Sequence, residues 1–170
     1  MKLRETILAE HSKSQMMKIV KWVGDDAKRF SELVKLFLHD EYRIVQRSAW
    51  PLSYIIIQHP GFVKPYLGKF IKLLSEKGLH PAVIRNVLRL LQFVDVPKKE
   101  LGKLTNACFD LLLDSDSPIA HKVFAMEVLF NVTKKEPELK RELKIVIGEL
   151  LKENGGGIGA RGKRILKELN

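Results

Sequence analysis

The sequence contains a single cysteine, Cys108, and no run of about 18 apolar residues, the length that a membrane-spanning helix needs. One cysteine cannot form an internal disulfide, and its apolar neighbours at helical spacing predict a buried, inert thiol. The first ten residues carry charges at Lys2, Arg4, Glu5 and Glu10, where a secretory signal needs an apolar segment. We therefore expect a cytoplasmic protein that does not enter a membrane.

Patterns that carry catalysis or bind metals are also missing from the sequence. No two histidines or cysteines have the spacing of a metal-binding pair. The five histidines, which we expect at the surface or at helix ends, are His11, His39, His59, His80 and His121. Two carboxylate pairs, Asp25 with Asp26 and Asp114 with Asp116, fall where helices are expected to start, so we interpret them as caps. We expect no enzyme activity, no cofactor and no metal ion.

Charge is plentiful and unbalanced. Thirty Lys and Arg against 20 Asp and Glu give a formal net charge of +10. The excess is concentrated in residues 41–97, which hold eight basic and three acidic residues. Such a balance favours acidic partners, among them nucleic acid and acidic protein surfaces.

Apolar residues recur at the spacing of an α-helix in one segment after another, and the strict alternation of half-buried strands is almost absent. One stripe, which predicts a helix from about Asp26 to His39, consists of Phe30, Leu33, Val34, Phe37 and Leu38. The same spacing returns within residues 67–74, 101–112 and 143–151. The pattern predicts an all-α protein, and we take these segments as the first helices of helix pairs.

A second set of helices lies between these stripes. Aligning them places Val45, Ile84, His121 and Ala160 in equivalent positions, at offsets of 39, 37 and 39 residues. A period near 38 residues made of two helices predicts stacked helical repeats. With an earlier copy whose first helix is residues 2–10, the pairs form a single domain over 1–170. Its predicted repeats are roughly 1–24, 25–60, 61–97, 98–136 and 137–170.

Two local features modify this pattern. Pro51 falls inside a predicted second helix, where its missing N–H predicts a kink or a shortened helix. The glycines at 155–157 predict a flexible last connection and a final helix that frays.

The second helices resemble those of HEAT repeats. The segments that carry the resemblance are Val45–Ala49, Ile84–Leu88 and His121–Leu129, with a basic residue near the start and a small or apolar one four places on. Asp40 and Asp116, each five residues before the aligned position, match the turn aspartate of the family. The resemblance implies a right-handed α-α superhelix, a HEAT-like solenoid of about four to five helix pairs. In such a stack the second helices line a concave face.

Ten residues of the second helices would share that concave face. They are Arg43, Arg47, Trp50, Tyr54, Arg85, Arg89, Lys122, Arg161, Lys163 and Arg164. Arg47, Trp50 and Tyr54 are spaced to lie on one side of their helix, where they could anchor a partner. Alternatively, Arg85 and Lys122 bridge neighbouring repeats, as a basic residue at this position does in HEAT-like repeats, and Trp50 belongs to the core.

These observations favour a non-catalytic, monomeric scaffold that presents a basic surface to a protein partner, and an acidic protein fits best. Nucleic acid is the alternative partner, because Lys and Arg neutralise phosphates. The architecture is more distantly similar to that of HEAT-like DNA alkylation-repair glycosylases, which hold an aspartate and aromatic groups against a damaged nucleotide. Trp22 and Trp50 are the candidate aromatic groups. Asp25 and Asp26 follow Trp22 closely, but their place at a helix start favours capping.

Overall fold

The computed structural model describes residues 1–153 and 156–170, and within them all regular secondary structure is helical. The described residues form ten α-helices, which are joined by turns and by two 3-10 segments, Pro60–Tyr66 and Pro137–Leu139. The helices are α1 (Leu3–Ala9), α2 (Lys13–Val23), α3 (Ala27–His39), α4 (Tyr42–Gln58), α5 (Leu67–Leu73), α6 (Pro81–Leu91), α7 (Lys98–Leu113), α8 (Ile119–Thr133), α9 (Lys140–Glu153) and α10 (Gly159–Leu169). The predicted all-α class is confirmed.

Side-chain caps explain where several helices begin. Ser12 Oγ accepts a hydrogen bond from the Gln15 N–H at the start of α2, and Asp26 accepts from two backbone N–H groups at the start of α3. These N–H groups, of Arg29 and Lys28, lower the pKa of Asp26 because they stabilise the carboxylate. The predicted capping role of Asp26 is therefore confirmed.

The turn before α8 uses its aspartates differently. Asp114 ends α7, and its carboxylate accepts a hydrogen bond from the backbone N–H of Asp116. The residue that caps α8 is Pro118, which offers no side-chain hydrogen bond. The prediction that Asp114 and Asp116 cap a helix start is wrong, since Asp114 stabilises the turn between the two helices.

Pro51 does not shorten its helix. α4 continues from Tyr42 to Gln58, although Pro51 has no N–H to donate to the carbonyl of Arg47 one turn earlier. Apolar residues beyond the proline, including Ile55 and Ile56, are buried and stabilise the second half of the helix. The helix is therefore not shortened, and the other outcome that the sequence predicts, a kink at Pro51, stays a prediction.

The chain divides into two compact units. The first unit comprises Met1–Leu67 with Phe93–Asp95, and the second comprises Gly68–Gln92 with Val96–Asn170. In the first unit α4 packs against α1, α2, α3 and the 3-10 segment Pro60–Tyr66. Its largest fully buried side chains are Phe30, Phe37, Leu3, Ile7, Leu33, Ile44, Leu52, Ile55 and Ile56.

In the second unit α8 is central, since it packs against α6, α7, α9 and α10. Cys108 of α7 is completely buried, as predicted, and burial raises the pKa of its thiol. The thiol is therefore protonated and inert at neutral pH.

The second helices begin at a nearly constant interval. α1, α4, α6, α8 and α10 start at Leu3, Tyr42, Pro81, Ile119 and Gly159, which are 39, 39, 38 and 40 residues apart. α1 packs against α4, as α8 packs against α6 and α10. α1 thus occupies the register of a second helix, whereas the sequence pattern predicted a first helix. The repeat boundaries themselves stay a prediction.

The last helix is packed against its neighbours. α10 contacts α8 and α9, and Ile165 and Leu169 on it are buried. A Cβ atom added at Gly162 would lie 3.2 Å from side-chain atoms of Ile147 and Leu151, so glycine permits a close approach of α10 to α9. The glycine-rich connection predicted to be flexible lies partly outside the described residues.

Candidate binding surface on the second helices

The end of α1 shows how side chains connect successive repeats. The last four carbonyls of a helix have no partner within it. In α1 the carbonyl of Thr6 accepts a hydrogen bond from Gln15 Nε2 at 2.6 Å. Arg47 Nη1 on α4 donates to the carbonyls of Leu8 at 2.6 Å and Ile7 at 3.3 Å. Arg47 thus caps a helix in the preceding repeat, which takes its guanidinium away from a partner.

The same arrangement recurs in the second unit. Side chains on α8 or just after it donate to backbone carbonyls 39 or 40 residues earlier in the chain. These bonds run from His121 to Pro81, from Asn131 to Gln92 and from Lys135 to Val96, at 2.7, 3.1 and 2.7 Å. The separation equals the repeat period. One junction in each unit therefore carries hydrogen bonds from a second helix, or the turn after it, to the preceding repeat.

His121 is one of these bridging residues and is only 3% exposed. Because a carbonyl oxygen can only accept, His121 Nε2 carries the proton in its bond to Pro81. Burial lowers the pKa of His121, and the nearby charge of Arg85 lowers it as well. The imidazole is therefore neutral at pH 7. His121 lies in the first turn of α8, so it is at a helix end, one of the two expected places for a histidine, but it is buried and not at the surface.

Arg161 and Arg164 on α10 bind a common carboxylate. Arg161 Nη1 lies 2.6 Å from Glu127 Oε2 on α8, and Arg164 pairs with both Glu127 and Glu168. The guanidinium of Arg164 also lies 5.8 Å from the ring centroid of Phe130. Arg161 and Arg164, two arginines of the predicted strip, thus connect α10 to α8.

A contiguous face of α4 is not used in this way. Arg43, Trp50, Tyr54 and Ile57 are spaced by seven, four and three residues, which places them on one side of the helix. We call these four residues the α4 face. Tyr54 is 38% and Ile57 53% exposed, Arg43 is exposed, and Trp50 is half-buried.

The α4 face is apolar and basic. His11 packs edge-on against Trp50, with ring centroids 5.8 Å apart, which orients the indole. No acidic residue occurs between Tyr42 and Gln58. Large exposed apolar side chains beside an arginine are typical of binding sites, where Trp, Tyr and Arg supply much of the binding energy.

The remaining residues of the predicted strip differ in exposure. Arg89 on α6 and Lys163 on α10 are exposed, and Arg85 is half-buried. Lys122 is only 5% exposed, so we leave it out of the binding surface. Of the ten residues, the structure therefore brings Arg43, Trp50 and Tyr54 together on an accessible face, to which it adds Ile57. Sequence reasoning missed Ile57, although it follows Tyr54 by three residues on the same stripe.

The residues that invite comparison with a glycosylase have structural partners. Asp26 caps α3, and Asp25 lies 3.3 Å from His59 Nε2. Arg29 donates to the carbonyl of Trp22, and its guanidinium lies 5.3 Å from the indole centroid. Among the residues that the structure describes, no group of three or more histidines, cysteines and carboxylates is placed to hold a metal ion.

Comparison with known families identifies the type of helical repeat. The family model of the HEAT repeat domain matches residues 3–169, nearly the whole sequence. The chain belongs to the HEAT repeat family. This shows the predicted all-α helical-repeat fold of HEAT type, and repeats of this family commonly bind proteins.

Neither the curated proteins nor the solved structures compared with this HEAT repeat chain give a significant match. In the part of the chain that the structure describes, no helix is both long enough and apolar enough to span a bilayer.

Proposed function

We propose that this HEAT repeat protein is a non-catalytic scaffold that binds a protein partner through the α4 face. The observation that carries the proposal is the exposure of Tyr54 and Ile57 beside Trp50 and Arg43. A solvated helix face has no need of three large apolar side chains in a row, whereas a binding face does. The complementary partner presents an apolar stripe of similar length, with an acidic residue to pair with Arg43.

The second unit supports the same preference for an acidic protein. The second helices α6, α8 and α10 contain only two acidic residues, Glu127 and Glu168. Both pair with Arg164, so neither offers an uncompensated negative charge. Arg89 and Lys163 are exposed on these helices. The single basic strip that the resemblance predicts along all second helices stays a prediction.

The contacts and burial of the basic residues favour a protein partner over a nucleic-acid partner. A phosphate-binding surface needs several Lys and Arg side chains that point into solvent. Four of the eight basic residues proposed for the strip are engaged within the fold or buried: Arg47, Lys122, Arg161 and Arg164. We further propose that the protein acts as a cytoplasmic monomer.

Site-specific photo-crosslinking tests the proposal. We would replace Tyr54 by p-benzoylphenylalanine, irradiate the protein in a cell extract, and compare it with the same replacement at Ile145, an exposed apolar residue of α9. The expected result is a discrete, nuclease-resistant protein adduct at position 54 that is absent at 145. It should disappear when Arg43→Glu and Ile57→Asp are added. An adduct removed by nuclease, the same adducts at both positions, or no adduct at 54 would overturn the proposal.

A further inference from the structure

A second candidate site lies on the other set of helices. In the second unit a groove of about 670 Å³ runs between α5 and α7. Its lining residues come from α5, which has seven residues, from Ser75 just after it, and from α7, which has 16. The volume falls within the range of about 300–1,000 Å³ typical of ligand sites.

The floor of the groove is apolar. Ile71 from α5 and Ala107 from α7 line it, and both side chains are buried. Gly68 leaves one end open, since it has no side chain. A Cβ atom there would find its nearest neighbour, Glu100 Oε1, 3.8 Å away. Glu100 therefore lies at the same end of the groove as Gly68.

The charges along the walls follow a pattern. Lys69 and Lys72 line the α5 side, and Lys103 lines the α7 side. The two acidic lining residues of α7, Glu100 and Asp110, flank Lys103 in the sequence and are about 15 Å apart along the helix. Lys103 thus lies between two carboxylates along α7, and both charged residues on the α5 side are lysines.

The lysines remain available to a ligand. Lys72 lies 3.9 Å from Glu76, but both are exposed side chains, and such a pair contributes little stability. Redirecting Lys72 towards a bound carboxylate therefore costs little.

We propose that this groove binds a short segment of a partner protein that has acidic residues at its centre and aliphatic side chains beside them. The aliphatic side chains cover Ile71 and Ala107, and the central carboxylates pair with Lys69, Lys72 and Lys103. Glu100 and Asp110 repel further acidic residues at the ends of the segment and favour basic ones. This site is separate from the α4 face and does not depend on it.

Two blocked peptides of identical composition test the charge pattern. One has the sequence Lys-Ala-Leu-Glu-Glu-Leu-Ala-Lys, and the other, Glu-Ala-Leu-Lys-Lys-Leu-Ala-Glu, exchanges the charges. Fluorescence anisotropy of labelled peptides should show that the acid-centred peptide binds at least tenfold more tightly than the exchanged one. Equal affinity of the two, or no binding of the first at millimolar protein, would overturn the proposal.

Charge-reversed variants locate the binding site. Lys69→Glu combined with Lys72→Glu should weaken binding of the acid-centred peptide at least tenfold. Lys18→Glu combined with Lys21→Glu, exposed lysines at the same spacing on α2, should change it less than twofold. An equal loss in both double variants would show that only the overall charge matters, and would contradict the assignment.

Blocking the groove gives an independent test. Gly68→Phe places a ring over the floor from an exposed position, so folding should be preserved and binding lost. In the wild-type protein the peptide should shift the amide NMR signals of Gly68 and Ala107. Shifts confined to α4, or full binding by Gly68→Phe, would refute the site.

Discussion

Replacing Arg47 by alanine removes both hydrogen bonds that α4 donates to the end of α1. The carbonyls of Ile7 and Leu8 then lose their partner, and no basic residue in the last turn of α1 can replace it. We expect α1 to detach more often from α4, while the rest of the first unit stays folded. The substitution thus separates a structural role of Arg47 from a role in binding.

The size of the effect follows from the geometry. Hydrogen bonds from a charged donor contribute about 1.5–3 kcal/mol, and a cation at a helix C-terminus adds about 0.3–1 kcal/mol. Because Arg47 is only half-buried, we take a value of roughly 2 kcal/mol for its loss. That value corresponds to an opening of α1 that is about 30-fold more frequent.

Native-state hydrogen exchange measures this opening directly. The amides of α1 should exchange about 30-fold faster in Arg47→Ala, whereas the amides of α3 should change less than about threefold. Arg43→Ala is the matched control, because Arg43 lies one turn earlier on the same helix and is exposed. It should leave the exchange of α1 unchanged.

Unchanged protection of α1 in Arg47→Ala would refute this reasoning. Loss of partner binding in the same variant would then return Arg47 to the binding surface. A uniform loss of protection across α1, α3 and α4 would instead show that the first unit unfolds as one body, without the local role that we assign to Arg47.

Three further predictions test other contacts. Glu127→Ala should make the amides of α10 exchange about tenfold faster, because two arginines lose a carboxylate that is only partly solvent-screened. The pKa of His121 is lowered in the folded state, so the stability it contributes above its unfolded pKa of about 6.5 should be lost as pH falls below that value. Denaturant unfolding between pH 7.5 and 5 should therefore show a steeper fall for wild type than for His121→Gln. Gly102→Ala, with open space around the new Cβ, should stabilise the protein by about 0.5–1 kcal/mol, whereas Gly162→Ala should gain less or destabilise it, as thermal unfolding would show.

The helices could largely be predicted from the sequence, because their apolar stripes are local and periodic. The stripe from Phe30 to Leu38 predicts a helix over residues 26–39, and α3 spans Ala27–His39. The position of α1 was harder to predict. Seven residues show too little of a stripe to distinguish a first from a second helix, and the start-to-start interval becomes evident only when the helix bounds are known.

The binding surface could be predicted only in part. Helical spacing is enough to place Trp50 and Tyr54 on one side of α4. The role of Arg47 could not be inferred, because its acceptors are backbone carbonyls about 40 residues away, and a carbonyl leaves no signature in the sequence. The same reason explains why Arg161 and Arg164 were assigned to the surface, although they bind Glu127.

The burial of His121 could have been predicted from the sequence. The repeat alignment places it with Val45 and Ile84, and a residue aligned with two apolar ones is expected to be buried. A buried imidazole needs a hydrogen-bond partner, which is the carbonyl of Pro81 in the preceding repeat. In this repeat protein, the aligned position of His121 therefore predicts its burial better than its residue type does.

The binding role of the α4 face is tested most directly by affinity. The protein that cross-links at position 54 should be titrated against wild type, against Tyr54→Ala combined with Ile57→Ser, and against Ile145→Ser. Truncating central apolar anchors costs about 2 kcal/mol or more, so the α4 variant should bind at least tenfold more weakly while Ile145→Ser binds as wild type. Affinities that agree within twofold for all three proteins would contradict the account.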